Sequence, residues 1–95
     1  MTNTSSIARY LDPLPLIAVL RGITPEEVEQ AFANDPMDLG ADVVDAEERY
    51  TGVGHTNRFR VLVLVWTMRG DATRPISAFD ASDRLAARYL AERGI

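Results

Sequence analysis

The chain has 95 residues, which suffice for one domain with a modest core, and a net charge of −4. The absence of cysteine excludes disulfides and thiolate chemistry and favours a reducing cytoplasm. The absence of lysine excludes a lysine Schiff base, and no apolar run is long enough to cross a bilayer. We therefore expect a cytoplasmic protein that does not bind a membrane.

The charges are unevenly distributed along the chain. Gly22 to Glu48 contains nine acidic residues and no basic residue, whereas Arg49 to Ile95 contains eight arginines and four acids. Two interpretations remain open. The asymmetry can reflect ordinary solvated faces, or it can mark a surface for a polyanion beside an acidic flank.

The first 22 residues are predicted to form a divergent or partly disordered segment, ahead of a domain from 23 to 95. Residues 7–11 are compatible with a short helical turn. The apolar stretch 16–20 is compatible with either a buried strand or a helix, because its period cannot be determined over five residues.

A helix start follows at Thr24-Pro25-Glu26-Glu27. Thr24 can cap the helix, proline suits its first position, and Glu27 completes a capping box. Val28, Ala31 and Phe32 form the apolar stripe, and the helix should end near Asn34 because Pro36 follows. Asp35 to Asp45 is interpreted as a polar, acidic connector.

Three strands are predicted next, at Glu47 to Val53, Phe59 to Arg69 and Thr73 to Phe79. The turns between them are expected at 54–57 and 70–71. The second strand is apolar on both faces and should be central, while Pro75 marks the third as an edge strand.

A final helix is predicted after a cap at Asp80 or Ser82, with Gly94 as its stop. Its apolar stripe consists of Leu85, Ala86, Tyr89 and Leu90. The expected fold is α+β, with an N-terminal helix, an antiparallel three-strand meander and a C-terminal helix.

Eight short motifs follow one another along the chain: Thr24-Pro25-Glu26-Glu27-Val28-Glu29-Gln30-Ala31-Phe32, Asp35-Pro36, Glu47-Glu48-Arg49-Tyr50, Gly52-Val53-Gly54, Arg60-Val61-Leu62, Thr67-Met68-Arg69-Gly70, Arg74-Pro75-Ile76-Ser77-Ala78 and Arg88-Tyr89. In this order and spacing they resemble the BrnT-type toxins of type II toxin–antitoxin systems. The resemblance extends from about Ile23 to Gly94. It implies a RelE-like fold, ribonuclease activity on RNA, and a cognate antitoxin protein as partner.

A shorter resemblance covers residues 14–27, which are similar to the start of the 2-keto-3-deoxy-6-phosphogluconate/galactonate aldolases. Those enzymes use a lysine Schiff base in a barrel of roughly 200 residues or more. This chain is too short for the barrel and has no lysine. Aldolase activity is therefore rejected.

The BrnT resemblance also indicates candidate site residues. Arg49, Arg74 and Glu48 are the candidate catalytic residues, with the arginines as phosphate contacts and Glu48 as a base. The candidate substrate-binding residues are Arg60, Arg69 and Arg88. Each can equally be an exposed residue with no role beyond solubility.

Other chemistry is less well supported by the sequence. His55 is the only histidine, and we interpret it as a solvated turn residue. Trp66 and Tyr89 are interpreted as packing residues. We find no metal-ligand cluster, no nucleophile motif and no phosphate-cradling glycine loop, so no cofactor or metal is predicted.

Three functions therefore remain open. The first is a metal-independent endoribonuclease toxin. The second is a degenerate toxin that still binds its antitoxin, since Phe79 stands where the family has an arginine and Leu85 where it has a glutamate. The third is a truncated reading frame without independent function.

Overall fold

The structure, a computed structural model, describes residues 22–95, so the expectations for residues 7–11 and 16–20 lie outside the described part. The fold is α+β, as predicted. Its elements in chain order are α1 (Pro25–Ala33), β1 (Met37–Val44), β2 (Glu47–His55), β3 (Val61–Arg69), β4 (Ala72–Asp80) and α2 (Asp83–Arg93).

The sheet has four antiparallel strands in the order β1-β2-β3-β4. The predictions that β3 is internal and β4 is an edge are confirmed. The prediction of three strands is wrong, because the expected acidic connector is strand β1. Its residues pair with β2 from Met37↔Val53 to Val44↔Glu47.

The β1–β2 turn explains why this strand is hard to see in the sequence. Asp45 and Ala46 form a two-residue hairpin loop, with φ of 52° and 62°. Positive φ at both central positions is typical of a type I′ turn, which usually contains glycine or asparagine. The Asp-Ala pair gives no such signal, although it adopts the same backbone.

One helix packs on each face of the sheet. On the face of α1, Leu62 and Leu64 of β3 pack with Val28 and Phe32 of the helix. On the face of α2, Val61 packs in a second cluster with Val53 of β2 and Tyr89 of the helix. Alternate residues of β3 therefore serve different cores, which confirms that both faces of this strand are covered.

The helix ends follow the predicted capping signals. Thr24 and Glu27 form the reciprocal capping box of α1, with bonds of 3.1 and 2.9 Å. Ser82, rather than Asp80, caps α2 by accepting from Leu85 N at 3.2 Å. Gly94 ends that helix in the left-handed conformation, with φ of 71°.

Candidate nucleic-acid interface

Two of the predicted catalytic arginines lie in one cross-strand row. Thr67 of β3 pairs with Arg74 of β4, and Tyr50 of β2 pairs with Trp66 of β3. Continuing the second register by one residue places Arg49 opposite Thr67. Because residues paired across strands share a face, Arg49, Thr67 and Arg74 all lie on the α2 face. We call these three residues the arginine row.

The distance between Arg49 and Arg74 is short enough for both guanidinium groups to contact one ligand. One strand separates Arg49 from Arg74, so their Cα atoms are about 10 Å apart. Arginine side chains are long enough to converge over such a gap. Along β2, Arg49 lies four residues, or about 13 Å, from Val53, which packs with Tyr89 of α2.

The side chain of Thr67 joins two strands beneath the exposed arginines of this row. It is only 3 % exposed, and its Oγ1 donates a hydrogen bond to the backbone oxygen of Glu48 at 2.8 Å. The hydroxyl is therefore used to join β2 to β3 at the level of the arginines. The hydrogen bond fixes the position of the arginine row on the two strands. The exposed part of the row then consists of Arg49 and Arg74.

Arg49 has two acidic neighbours on the α2 face, Glu47 on its own strand and Asp42, with which it pairs across β1 and β2. Its Nε lies 3.5 Å from Oε1 of Glu47, and both side chains are about one-third exposed. The Arg49 Nε is buried and has no hydrogen-bond partner within residues 22–95. The pair is thus a loose ion pair, which a phosphate could replace at small cost.

Glu48, the predicted base, is not brought together with these arginines. Its neighbours in β2 alternate in direction, so Glu48 lies on the α1 face. There Oε1 accepts a hydrogen bond from Tyr50 Oη at 2.6 Å. This bond raises the pKa of the Tyr50 hydroxyl above its usual value, because ionising the phenol would place two negative charges together.

Glu47 is a carboxylate that the sequence analysis did not single out. It lies on the α2 face with Arg49, two residues away along the strand. Both Glu47 and Glu48 line an open pocket of about 380 Å³, so the strand face, and not this pocket, distinguishes them. The sequence contained a signal for this residue, because side chains alternate along a strand. A base on the same face as Arg49 must lie an even number of residues from it, as Glu47 does and Glu48 does not.

Arg60 lies apart from the arginine row. Its Nε and Nη2 donate to the two carboxylate oxygens of Asp80 at 2.7 and 3.0 Å. Its Nη1 contacts Glu27 of α1 at 3.2 Å and the backbone oxygen of Gly22 at the same distance. These carboxylates hold the pKa of Arg60 above its usual value. Arg60 thus connects α1 to β4, on the opposite face from Arg74.

Arg69 and Arg88, the other two predicted substrate-binding residues, lie on different elements of the fold. Arg69 lies two residues beyond Thr67 on β3, so it shares the face of the arginine row and is exposed. Arg88 lies on α2 and pairs with Glu92 at 3.1 Å. Arg69 is therefore the better placed of the two to extend the row.

His55 is not a solvated turn residue, so that interpretation is wrong. It ends β2, and its Nδ1 lies 2.7 Å from the Tyr89 hydroxyl. Its ring stacks on Phe59 with centroids 5.5 Å apart. Burial and the charge of Arg93 lower the pKa of His55 below its usual value. Trp66 and Tyr89 pack in the two cores, as predicted.

We expect this histidine to make the fold less stable in mild acid. A lowered pKa means that the folded state holds fewer protons than the unfolded chain, so stability is full above about pH 6.5 and falls as the pH drops below it. Chemical denaturation of the full chain at pH 7.5, 6.5 and 5.5 measures this loss. His55→Gln, which can still bond Tyr89, should flatten the profile over this range. A profile that His55→Gln leaves unchanged would assign the loss to another group.

The described residues present neither a metal cluster nor a membrane span. Within 22–95, no three His, Asp or Glu side chains come together as metal ligands. Over the same residues, no helix is long and apolar enough to cross a membrane.

The fold and this face define a small α+β domain with an arginine row on one side of a four-stranded sheet. Comparison with known families then gives its identity. The family described as "Ribonuclease toxin, BrnT, of type II toxin-antitoxin system" matches residues 19–84. The chain belongs to this family of ribonuclease toxins, which confirms the longer resemblance and implies an antitoxin partner and an RNA substrate. No curated protein and no solved structure gives a significant match, and no finding supports the aldolase resemblance.

Proposed function

We propose that the protein is a metal-independent endoribonuclease that grips an RNA phosphate with Arg49 and Arg74 in the cytoplasm and uses Glu47 as its base. The observation that carries this proposal is the shared row of the two arginines on one face of the sheet. Two planar guanidinium groups flanking one position suit a bridging phosphate, because each can donate two parallel hydrogen bonds.

The chemistry that this face supports is transfer of the phosphate within the RNA. The 2′-hydroxyl attacks the adjacent phosphorus, and the bond from phosphorus to the 5′-oxygen breaks. Glu47 takes the proton of the attacking hydroxyl, while Arg49 and Arg74 stabilise the negative charge that develops on the phosphate oxygens. The leaving 5′-oxygen takes a proton from solvent water, so the products are a 2′,3′-cyclic phosphate and a free 5′-hydroxyl.

The ion pair between Glu47 and Arg49 fits this division of roles. While Arg49 is paired with Glu47, each neutralises the other in the free protein. When a phosphate takes over Arg49, Glu47 loses its partner and lies beside bound RNA. Substrate binding therefore releases the carboxylate at the position where a proton must be accepted.

Incubation of the purified full chain with a single-stranded RNA in the presence of EDTA tests this function. We expect cleavage with cyclic phosphate ends, identified by mass spectrometry. Induction in a bacterial host should stop growth and degrade total RNA, and co-expression of the adjacent open reading frame should restore growth. Intact RNA in both experiments would contradict the proposal.

The choice of Glu47 over Glu48 makes a separate prediction. Glu47→Gln should lower the cleavage rate by about 100-fold, because general base catalysis contributes roughly that much or more. Glu48→Gln should leave the rate within about twofold, since this side chain lies on the other face beside Tyr50. Single-turnover cleavage rates of the two variants measure the difference. A larger loss in Glu48→Gln would return the role to the residue that the family motif indicates.

One observation favours a second candidate function, a non-catalytic protein that still binds an antitoxin. Phe79, which replaces the family's arginine, pairs with Val63 and so lies on the α2 face. An apolar residue there removes a cation from the same face as Arg49 and Arg74. This candidate predicts complex formation with the product of the adjacent open reading frame and no RNA cleavage.

A further inference from the structure

Within residues 22–95, strand β1 forms an outer edge of the sheet. Among these residues it pairs only with β2, while β3 and β4 lie beyond β2. Seven of its eight residues are exposed. An uncovered edge presents backbone donors and acceptors to which another strand can add.

Apolar side chains accompany this open edge. Val43 is 65 % exposed, and Leu39 and Val44 are also exposed. Because side chains alternate along a strand, Val43 and Val44 point to opposite faces. An added strand would therefore cover apolar surface on both sides.

The charges around this edge indicate the chemistry of its occupant. Between Met37 and Tyr50 there are five acidic residues and one basic residue, Arg49, which is paired with Glu47. A second copy of β1 would bring two such acidic edges together, and like charges on adjacent strands are destabilising. A basic segment would instead be attracted to it.

One aspartate also covers the backbone of this edge. Asp42 Oδ1 accepts from Val43 N at 2.8 Å, and Val43 N points away from β2, because Val44 and Glu47 form the hydrogen-bonded pair next to the turn. This bond protects the edge in the free protein. An incoming backbone carbonyl can replace the carboxylate, which then becomes available to pair with a cation of the arriving strand.

We propose that β1 docks an extended segment of a partner protein, which adds as a fifth strand and carries arginine or lysine at alternate positions. The apolar residues of the segment pack on the face of Val43, and its cations, on the opposite face, pair with Asp42. The free edge of β1 is separated from Thr67 and Arg74 by β2, so binding there does not require Arg74.

A fluorescent nine-residue peptide of alternating valine and arginine, with blocked ends, is the probe. Anisotropy of this peptide with the full chain at about 0.15 M salt should show saturable binding, and the amides of β1 should gain protection from hydrogen exchange. The same peptide with methylated backbone nitrogens keeps its charge but cannot form a ladder, so its binding should be at least about tenfold weaker.

Matched variants of β1 measure the contribution of its charges and of its apolar side chains to peptide binding separately. Asp42→Asn keeps the backbone acceptor and removes one charge, so binding should weaken about threefold. Val43→Ser should weaken it similarly. The control Asp71→Asn removes one charge elsewhere and should have no effect. Arg74→Ala should retain binding, which distinguishes this proposal from the nuclease.

Three results would overturn the proposal. They are absence of binding, equal binding of the methylated peptide, and equal weakening by the control variant. A homodimer that Val43→Ser dissociates, with no peptide binding, would instead assign the edge to a second copy of the chain.

Discussion

Arg74→Ala should lower the rate of RNA cleavage by about 100-fold. The side chain stands opposite Thr67 in the row that it shares with Arg49, and we assign it to the phosphate that gains charge during the reaction. Removing one donor aimed at such a developing charge typically costs a factor of about 100 to 1,000 in rate. Single-turnover cleavage of a defined RNA measures this loss.

Arg74→Lys is the informative companion. Lysine keeps the positive charge but cannot form the planar, two-bond contact with phosphate. We therefore expect a rate between those of the wild type and Arg74→Ala, about tenfold below the wild type. Equal rates for lysine and alanine would indicate that geometry, and not charge, is what Arg74 supplies.

Arg58→Ala is the control for a general loss of positive charge. Arg58 lies in the β2–β3 turn and is exposed, away from the arginine row. Its removal should change the rate by less than about twofold, and thermal unfolding should show that all three variants are folded. Normal cleavage by Arg74→Ala, with a deficit in Arg58→Ala, would place the site at the other end of the sheet.

Gly54→Ala should be strongly destabilising. A Cβ atom at this position would lie 2.7 Å from the backbone oxygen of Ala31 in α1. The obstacle is the helix backbone, so either the helix must move away or β2 must distort. Overpacking of this kind costs about 2–3 kcal/mol, a large share of the stability of so small a domain. Equilibrium denaturation measures the change in the free energy of unfolding.

Gly52→Ala is the matched control on the same strand and face. Its added Cβ would lie 3.1 Å from Met37 O and from the Trp66 ring, which a shift of a few tenths of an ångström relieves. We expect a loss of about 1 kcal/mol. If Gly52→Ala were the more damaging variant, the close approach of α1 to β2 would not be the tightest contact in the fold.

The faces on which the candidate site residues lie could be predicted from the sequence only in part. Arg49 and Arg74 share a face because both lie opposite Thr67 of β3, on either side of that strand. The sequence indicates both residues but contains no information on register, which depends on contacts far apart in the chain. The same reasoning places Glu48 on the other face, since neighbours on a strand point to opposite faces.

The partners of Arg60 and His55 could not be predicted from the sequence, for a related reason. Both look like exposed polar residues beside a turn. Arg60 is instead held by Asp80 and Glu27, which lie 20 and 33 residues away in the chain. His55 is held by Tyr89, 34 residues away. Such partners become visible only when the two helices are placed on their faces of the sheet.

Sequence alone determined the local features of this protein. The capping box at Thr24, the stop at Gly94, the two-sided apolar strand β3 and the edge strand with Pro75 are set by interactions within a few residues. Tertiary structure alone decided β1 and the grouping of the charged side chains. A strand interrupted by two aspartates and a glycine, and exposed at seven of its eight residues, forms only because β2 supplies its hydrogen bonds. The two arginines share a face only because the register of three strands places both opposite Thr67.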